Sequence, residues 1–255
     1  MPYLPVAGTR LFYTESGPAN ARPMLLLHAA LQTGESMTPL RDLLAPLGLR
    51  LIQVDLRGHG RTANPARTWS IPGMADDIAA LAAELDLKAP LLAGYSLGGM
   101  LGIELARRGL LSALVVLASR IRPAPRGRES FDPASIRSRS PQWAATLGER
   151  HTEVAWEELA TGLGEMLATW PGFDPGELGR IAAPTLVVQG EKDQMVSLRQ
   201  AEALAALVPG ARLYVAPSAG HPELLYRADA MAQVYEFVRD QLNGVGCIYG
   251  DGSLQ

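Results

Sequence analysis

The chain of 255 residues contains one cysteine, Cys247, so no disulfide can form within it, a usage that fits a reducing compartment. No run of about 18 apolar residues occurs, the length a bilayer-spanning helix requires. The opening "MPYLPVAGTRLFYTESG" lacks a basic segment followed by a long apolar one, so no secretion signal is expected. Positive charge is not in surplus either: 23 Lys and Arg face 26 Asp and Glu, a formal net charge of -3, which gives no electrostatic footprint for a nucleic acid. These absences lead to the expectation of a soluble, cytoplasmic protein with neither a nucleic-acid nor a membrane partner.

What is present is apolar mass. Hydrophobic residues make up 47% of the chain, enough for a large core, and α/β folds of this length commonly form one body. The arginines are scattered except in "SRIRPAPRGRESFDPASIRSRS", residues 119–140, whose mixture with Pro and Ser suggests a solvated, partly irregular segment. The closing "NGVGCIYGDGSLQ" is Gly-rich without periodicity, so 244–255 are expected to form a loose tail outside the fold.

Two short alternating runs, Tyr3 to Val6 and Arg10 to Glu15, predict a hairpin. Beyond them the runs become short, continuous and apolar: "MLLLHA", "LRLIQVDL", "APLLAGY", "ALVVLAS", "APTLVVQG" and "ARLYVAP", the pattern of strands covered on both faces. Helical spacing lies between them, at Met37 to Leu47, Ile71 to Leu87, Leu97 to Arg108, Leu198 to Leu207 and Tyr226 to Leu242. This alternation predicts an α/β fold, a mostly parallel central sheet with helices on both faces. Residues 120–181 break it with no strand-like run, and they hold Trp143, Trp156 and Trp170. "PQWAATLGERH" and "TEVAWEELATGLGEMLATW" are amphipathic at helical spacing, with Thr152 the expected N-cap of the second. The expected organisation is therefore a core of 1–119 and 182–243, with 120–181 a helical cap inserted between two strands over the sheet's carboxyl ends.

The stretch "LLAGYSLGGM" sets Ser96 between Gly94 and the pair Gly98 and Gly99. A sharp strand-to-helix turn exposes a serine hydroxyl at the top of a sheet, and glycines two positions to either side keep neighbouring segments from colliding with it. A hydroxyl is a poor nucleophile until a base takes its proton, and that base needs a third group to fix its tautomer. Of the four histidines, His221 follows the last expected strand on the small-residue loop "APSAGHPELL". His28 closes a buried strand and His59 sits in a Gly-flanked turn, which suits scaffold roles, whereas His151 belongs to the cap. Asp193, just past "TLVVQG", is the expected orienting carboxylate, with Glu191 as its neighbour closer to the strand. Leu97 N–H at a helix N-terminus and Ala30 N–H in the loop after "LLLH" are the expected donors to an oxyanion.

With these stretches in view the chain resembles the α/β-hydrolase family across nearly all of residues 3–243. "LLLHAALQTGESM", "VDLRGHGRT", "AGYSLGGM", "PTLVVQGEKD" and "SAGHPELL" fall where that family has its oxyanion loop, post-strand turn, nucleophile elbow, acid turn and histidine loop. The resemblance implies a triad of Ser96, Asp193 and His221, with Ala30 and Leu97 at the oxyanion positions. Ala29 departs from the family, where glycine usually follows the histidine; a positive φ there would strain the alanine.

A serine nucleophile argues against haloalkane dehalogenation and for acyl transfer to water. Relatives that hydrolyse carbon-carbon bonds often carry an aromatic residue after the histidine and a cap arginine; here Pro222 follows, although Arg120, Arg122 and Arg137 are available. Carboxylic ester hydrolysis by an acyl-enzyme route is the expected activity, with lactone or carbon-carbon hydrolysis as the alternative. Outside catalysis, the alternative is a small-molecule receptor or a non-catalytic binding protein on the same fold. No cofactor or metal is expected, and the partners are a small ester and water. Ala29, Leu31, Trp143, Trp156, Leu163 and Met166 are the expected lining of an apolar substrate enclosure.

Overall fold

In the computed structural model, which describes residues 3–6 and 8–243, eight strands form one sheet in the order β1-β2-β4-β3-β5-β6-β7-β8. The tail expected at 244–255, with Cys247, lies outside the described residues. Strands β1 (Tyr3–Val6) and β2 (Thr9–Ser16) pair antiparallel, and β2 continues antiparallel onto β4 (Arg50–Val54). From β4 through β3 (Pro23–Leu27), β5 (Leu91–Tyr95), β6 (Ala113–Leu117), β7 (Thr185–Gly190) and β8 (Arg212–Ala216) every pairing is parallel. The carboxyl ends of six strands therefore share one edge of the molecule, the edge where such sheets place ligands.

The helices that connect them are α1 (Thr38–Leu44), α2 (Ile71–Glu84), α3 (Leu97–Arg107) and α9 (Leu198–Leu207), and α10 (Ala228–Asn243) follows β8. Between β6 and β7 lie α4 (Gly127–Ser130), α5 (Pro133–Arg139), α6 (Pro141–Arg150), α7 (Trp156–Thr169) and α8 (Pro175–Leu178). No helix among the described residues is long and apolar enough to cross a membrane.

Alternation hidden inside the apolar runs builds two cores. Leu25 and Leu27 of β3 and Leu92 of β5 join one cluster with Met74, Ile78, Leu101 and Leu105 of α2 and α3. Met24 and Leu26 of β3 and Leu91 and Ala93 of β5 join the other with Leu40, Val234 and Phe237 of α1 and α10. Each strand residue thus buries against the helices of its own face, as side chains of period two require.

Several expectations are corrected. The strand "ARLYVAP" is not covered on both faces: Arg212 and Leu213 are exposed because β8 closes the sheet and pairs only with β7. The helix expected at Met37 to Leu47 is an α-helical centre between two 3₁₀ turns, with Pro39 and Pro46 each near the start of its segment. α7 begins at Trp156 with Ala155 as its N-cap residue, not at Thr152. The N–H of Thr152 donates instead to the Gly60 carbonyl at 3.0 Å, with its hydroxyl at 3.3 Å from the same oxygen. The arginine-rich segment is more ordered than its composition suggests, since Asp132 caps α5 by accepting from Ser135 N–H at 2.8 Å.

Candidate active site

Ser96 joins β5 to α3 at φ 52° and ψ -107°, a conformation a non-glycine residue holds only when its surroundings fix it. They do so through hydrogen bonds. Ser96 N–H donates to Leu117 O at 2.8 Å, and the Ser119 hydroxyl, Gly99 N–H and Met100 N–H donate to Ser96 O at 2.7, 3.0 and 3.1 Å. The glycines answer to space rather than to torsion. A Cβ on Gly94 would stand 2.2 Å from Gly98 O, one on Gly98 2.2 Å from Leu27 O, and one on Gly99 2.7 Å from the Ser119 Cβ. Strand, turn and helix are therefore packed backbone to backbone.

Leu97 is the first residue of α3, so its N–H has no carbonyl one turn below it and points out of the helix end. The loop after β3 runs alongside: Gly98 N–H donates to His28 O at 3.0 Å, and Gln32 N–H closes a turn on Ala29 O at 3.1 Å around Ala30 and Leu31. The left-handed residue of this loop is Leu31, at φ 59°, and Ala29 is not among the positive-φ residues, so the alanine that departs from the family pattern is not strained there. His28 braces the loop. Its Nε2 accepts from Leu56 N–H at 3.0 Å, leaving Nδ1–H to donate to Ala29 O at 2.7 Å. Asp55 of "VDLRGHGRT" ties the same loops, accepting from Gly34 N–H at 2.7 Å and Arg61 N–H at 3.0 Å.

Beyond β7, Asp193 Oδ2 lies 2.7 Å from His221 Nδ1, and Oδ1 accepts from Met195 and Val196 N–H at 2.8 Å each. The carboxylate is sealed from solvent and the imidazole is 9% exposed. Burial pushes the Asp193 carboxyl up, but the His221 hydrogen bond and charge, with the Val196 and Met195 amides, outweigh it and hold the group below its ordinary value. Glu191 is turned elsewhere, accepting from Ser218 N–H at 2.7 Å. The His221 ring stacks on Tyr95 with centroids 5.3 Å apart, and the Tyr95 hydroxyl donates to His221 O. Burial, then the charge of Asp193, pushes the Tyr95 phenol up, so it remains a donor. Tyr95 immediately precedes Ser96. The serine turn, the carboxylate and the imidazole thus come from the ends of β5, β7 and β8 onto one edge of the sheet.

A model of the alpha/beta hydrolase family matches residues 24–236. The chain belongs to that family. Among its relatives is a non-heme haloperoxidase of Rhodococcus erythropolis, 26% identical over 276 aligned residues, covering 93% of this chain and 99% of the relative. A carboxylesterase of the thaumarchaeon Nitrososphaera gargenis has a similar structure, with TM-score 0.81 at 18% identity over 95% of this chain and 100% of that one. The enol-lactonase of Burkholderia xenovorans LB400 superposes with TM-score 0.77 at 24% identity, over 95% and 100% of the two chains. At such identities these structures establish the fold.

Of the residues expected to line an enclosure, Leu31, Trp156, Leu163 and Met166 share one buried cluster. Ala29 and Leu31 are buried in the loop beside the serine turn, and Leu163 is fully buried in a core cluster. Trp156 is buried with the Arg137 guanidinium 5.2 Å from its ring centroid. Met166 lines a cavity of about 320 Å³ together with Trp69, Ile71, Trp170 and Phe173, a cavity whose lining includes none of Ser96, Asp193 and His221. Trp143 is 41% exposed, because Ala144 and Leu147 carry the inward side of α6.

His151, expected only to belong to the cap, uses both ring nitrogens to tie the end of α6 to the loops that follow β4 and β3. Its Nδ1 accepts from Gly60 N–H at 2.8 Å, so its Nε2–H faces Leu31 O at 3.3 Å. With His28 and His59 it forms a buried cluster, ring centroids 4.9 and 5.8 Å apart in sequence along the three. Burial pushes His28 down to about 4, His59 well below its ordinary value and His151 down as well. All three therefore fold neutral. Because their folded values lie below the unfolded value of about 6.5, the unfolded chain binds more protons between the two, and stability rises with pH there. Their contribution is complete above about pH 6.5 and is lost as pH falls toward 4. The urea midpoint is expected to fall steadily from pH 7 to pH 4.5; equal midpoints at pH 7 and pH 5 would contradict neutral burial.

Proposed function

We propose that this α/β hydrolase is a serine esterase that cleaves carboxylic esters of small, largely apolar substrates through an acyl-enzyme. One observation carries the reading: the paired Asp193 and His221 lie against Tyr95, the residue that leads into the strained turn at Ser96. Asp193 holds the proton of His221 on Nδ1, which leaves Nε2 as the base toward the Ser96 hydroxyl. Ser96 Oγ adds to the ester carbonyl while His221 takes its proton. The tetrahedral oxyanion is received by Leu97 N–H and Ala30 N–H, each such donor stabilising it by about 3 kcal/mol. His221 then protonates the departing alkoxide, and water, activated by the same imidazole, releases the acid. Residues 120–181 act as a cap over this edge and supply apolar surface to the acyl group. The single cysteine and balanced charge suit work in the cytoplasm.

The preference for an uncharged ester is supported by the state of Arg122 and Arg137. Arg137 pairs with Glu157, Arg122 is exposed, and Arg120 donates to Met195 O at 2.8 Å. A buried anionic substrate needs a charged partner. Arg122→Ala and Arg137→Ala are therefore expected to leave kcat/KM for short p-nitrophenyl esters within about twofold of wild type. An enzyme that prefers a carboxylate-bearing ring-fission dienone to every neutral ester, and loses that preference with either arginine, would instead be a carbon-carbon hydrolase.

A further inference from the structure

Resting on that reading of Ser96, His221 and Asp193, we propose that Gln189 is a positioning residue that fixes the Asp193 carboxylate beneath His221. Gln189 lies on β7, in the polar gap of "TLVVQG", and is wholly buried. Its Nε2 donates to Asp193 Oδ2 at 2.9 Å and to Val196 O at 3.0 Å, with Gly190 O at 3.4 Å. All three neighbours are acceptors, so the amide can face them only with its nitrogen. The opposite end bears the cost: Gln189 Oε1 is buried with no hydrogen-bond partner among the described residues. A methionine or leucine would fill this space without an orphaned oxygen, so the amide's favourable work lies at its nitrogen.

That work has two parts. Asp193 Oδ1 is pinned by the Met195 and Val196 amides, and Oδ2 is shared by Gln189 and His221. The donor from Gln189 fixes the rotation of the carboxylate so that its second oxygen faces the imidazole. By also holding Val196 O, the same amide ties the turn from Asp193 to Val196 to the strand. The second part is electrostatic. A donor on the oxygen that receives His221 draws off some of the negative charge that would otherwise stabilise the imidazolium.

Gln189→Met, which keeps the volume, tests both. Folding is expected to survive with a modestly lowered Tm, because the lost bonds to Val196 O and Asp193 are partly offset by removal of the orphaned oxygen. kcat is expected to fall about 10- to 100-fold, the range for losing a hydrogen bond to a charged group, with KM changed less than about threefold. The acid limb of kcat/KM should move to higher pH, since the freed carboxylate holds the imidazolium more tightly. A purely structural glutamine would leave that limb in place. Gln189→Leu provides a second variant without the amide should the methionine form not fold, and it should move the limb in the same direction. The downfield proton resonance of the His221 to Asp193 hydrogen bond reads the positioning without turnover, and in Gln189→Met it should shift or broaden. An unmoved acid limb and an unmoved resonance would overturn the proposal. Absence of Ser96-dependent turnover in the wild type would instead overturn the esterase reading, while the resonance would still report on Gln189.

Discussion

Ser96→Ala is expected to lower kcat on an activated ester by about 10⁴- to 10⁶-fold while leaving the protein folded. The loss is large because the hydroxyl is the only atom removed and the proposed acyl-enzyme is formed on it. Folding should be indifferent to the change. The Ser96 side chain makes no capping hydrogen bond to α3, and the strained turn is held by the backbone of Ser96 through Leu117, Ser119, Gly99 and Met100. Alanine meets the same positive φ as serine, so its Tm should lie within about 2 °C of wild type. Matching melting curves beside the collapse in turnover would separate chemistry from stability; a variant as active as wild type would refute the nucleophile.

Asp193→Asn should be nearly as damaging, at about 10⁴-fold in kcat, and the geometry gives the reason. Met195 and Val196 N–H both point at one side of the group, so the amide oxygen of an asparagine must occupy that side. Its NH₂ then faces both His221 Nδ1 and the Gln189 NH₂. Imidazole is driven to the tautomer that carries its proton on Nε2, where it cannot accept one from Ser96. Glu191→Gln is the contrasting variant. Its oxygen accepts from Ser218 N–H, a task an amide oxygen can perform, so kcat should change by less than about threefold. If Glu191→Gln proves far more damaging than Asp193→Asn, the orienting carboxylate has been misassigned.

What could be read from the sequence were contacts between neighbours in the chain. Gly94 is demanded by the collision of its strand with the helix that follows, a clash visible in a five-residue pattern, whereas Gly98 makes room for Leu27 O of β3 and Gly99 for Ser119 after β6, partners that no local pattern names. The strands were legible as apolar runs, and their alternation into two cores follows from period two. What was not legible depends on partners far along the chain. Thr152 looks like a helix cap until Gly60 claims it. His151 looks like one more polar residue of an amphipathic helix until Gly60 and Leu31 approach its two nitrogens. The exposure of β8 follows from strand order, which no single run encodes. Gln189 did leave a signal, one amide in an otherwise apolar strand ending beside the expected acid, but its meaning required the side-chain geometry. The partial exposure of Trp143 was likewise illegible, since it depends on α6 turning Ala144 and Leu147 inward.

A covalent label tests the assignment of Ser96 as nucleophile most directly. Treatment of the wild-type protein with a fluorophosphonate, followed by intact-mass and peptide mass spectrometry, should give one adduct per chain, on the peptide containing Ser96, with loss of esterase activity in proportion to labelling. Ser96→Ala should take up none. An adduct on another residue, or full labelling at Ser96 with activity retained, would contradict it.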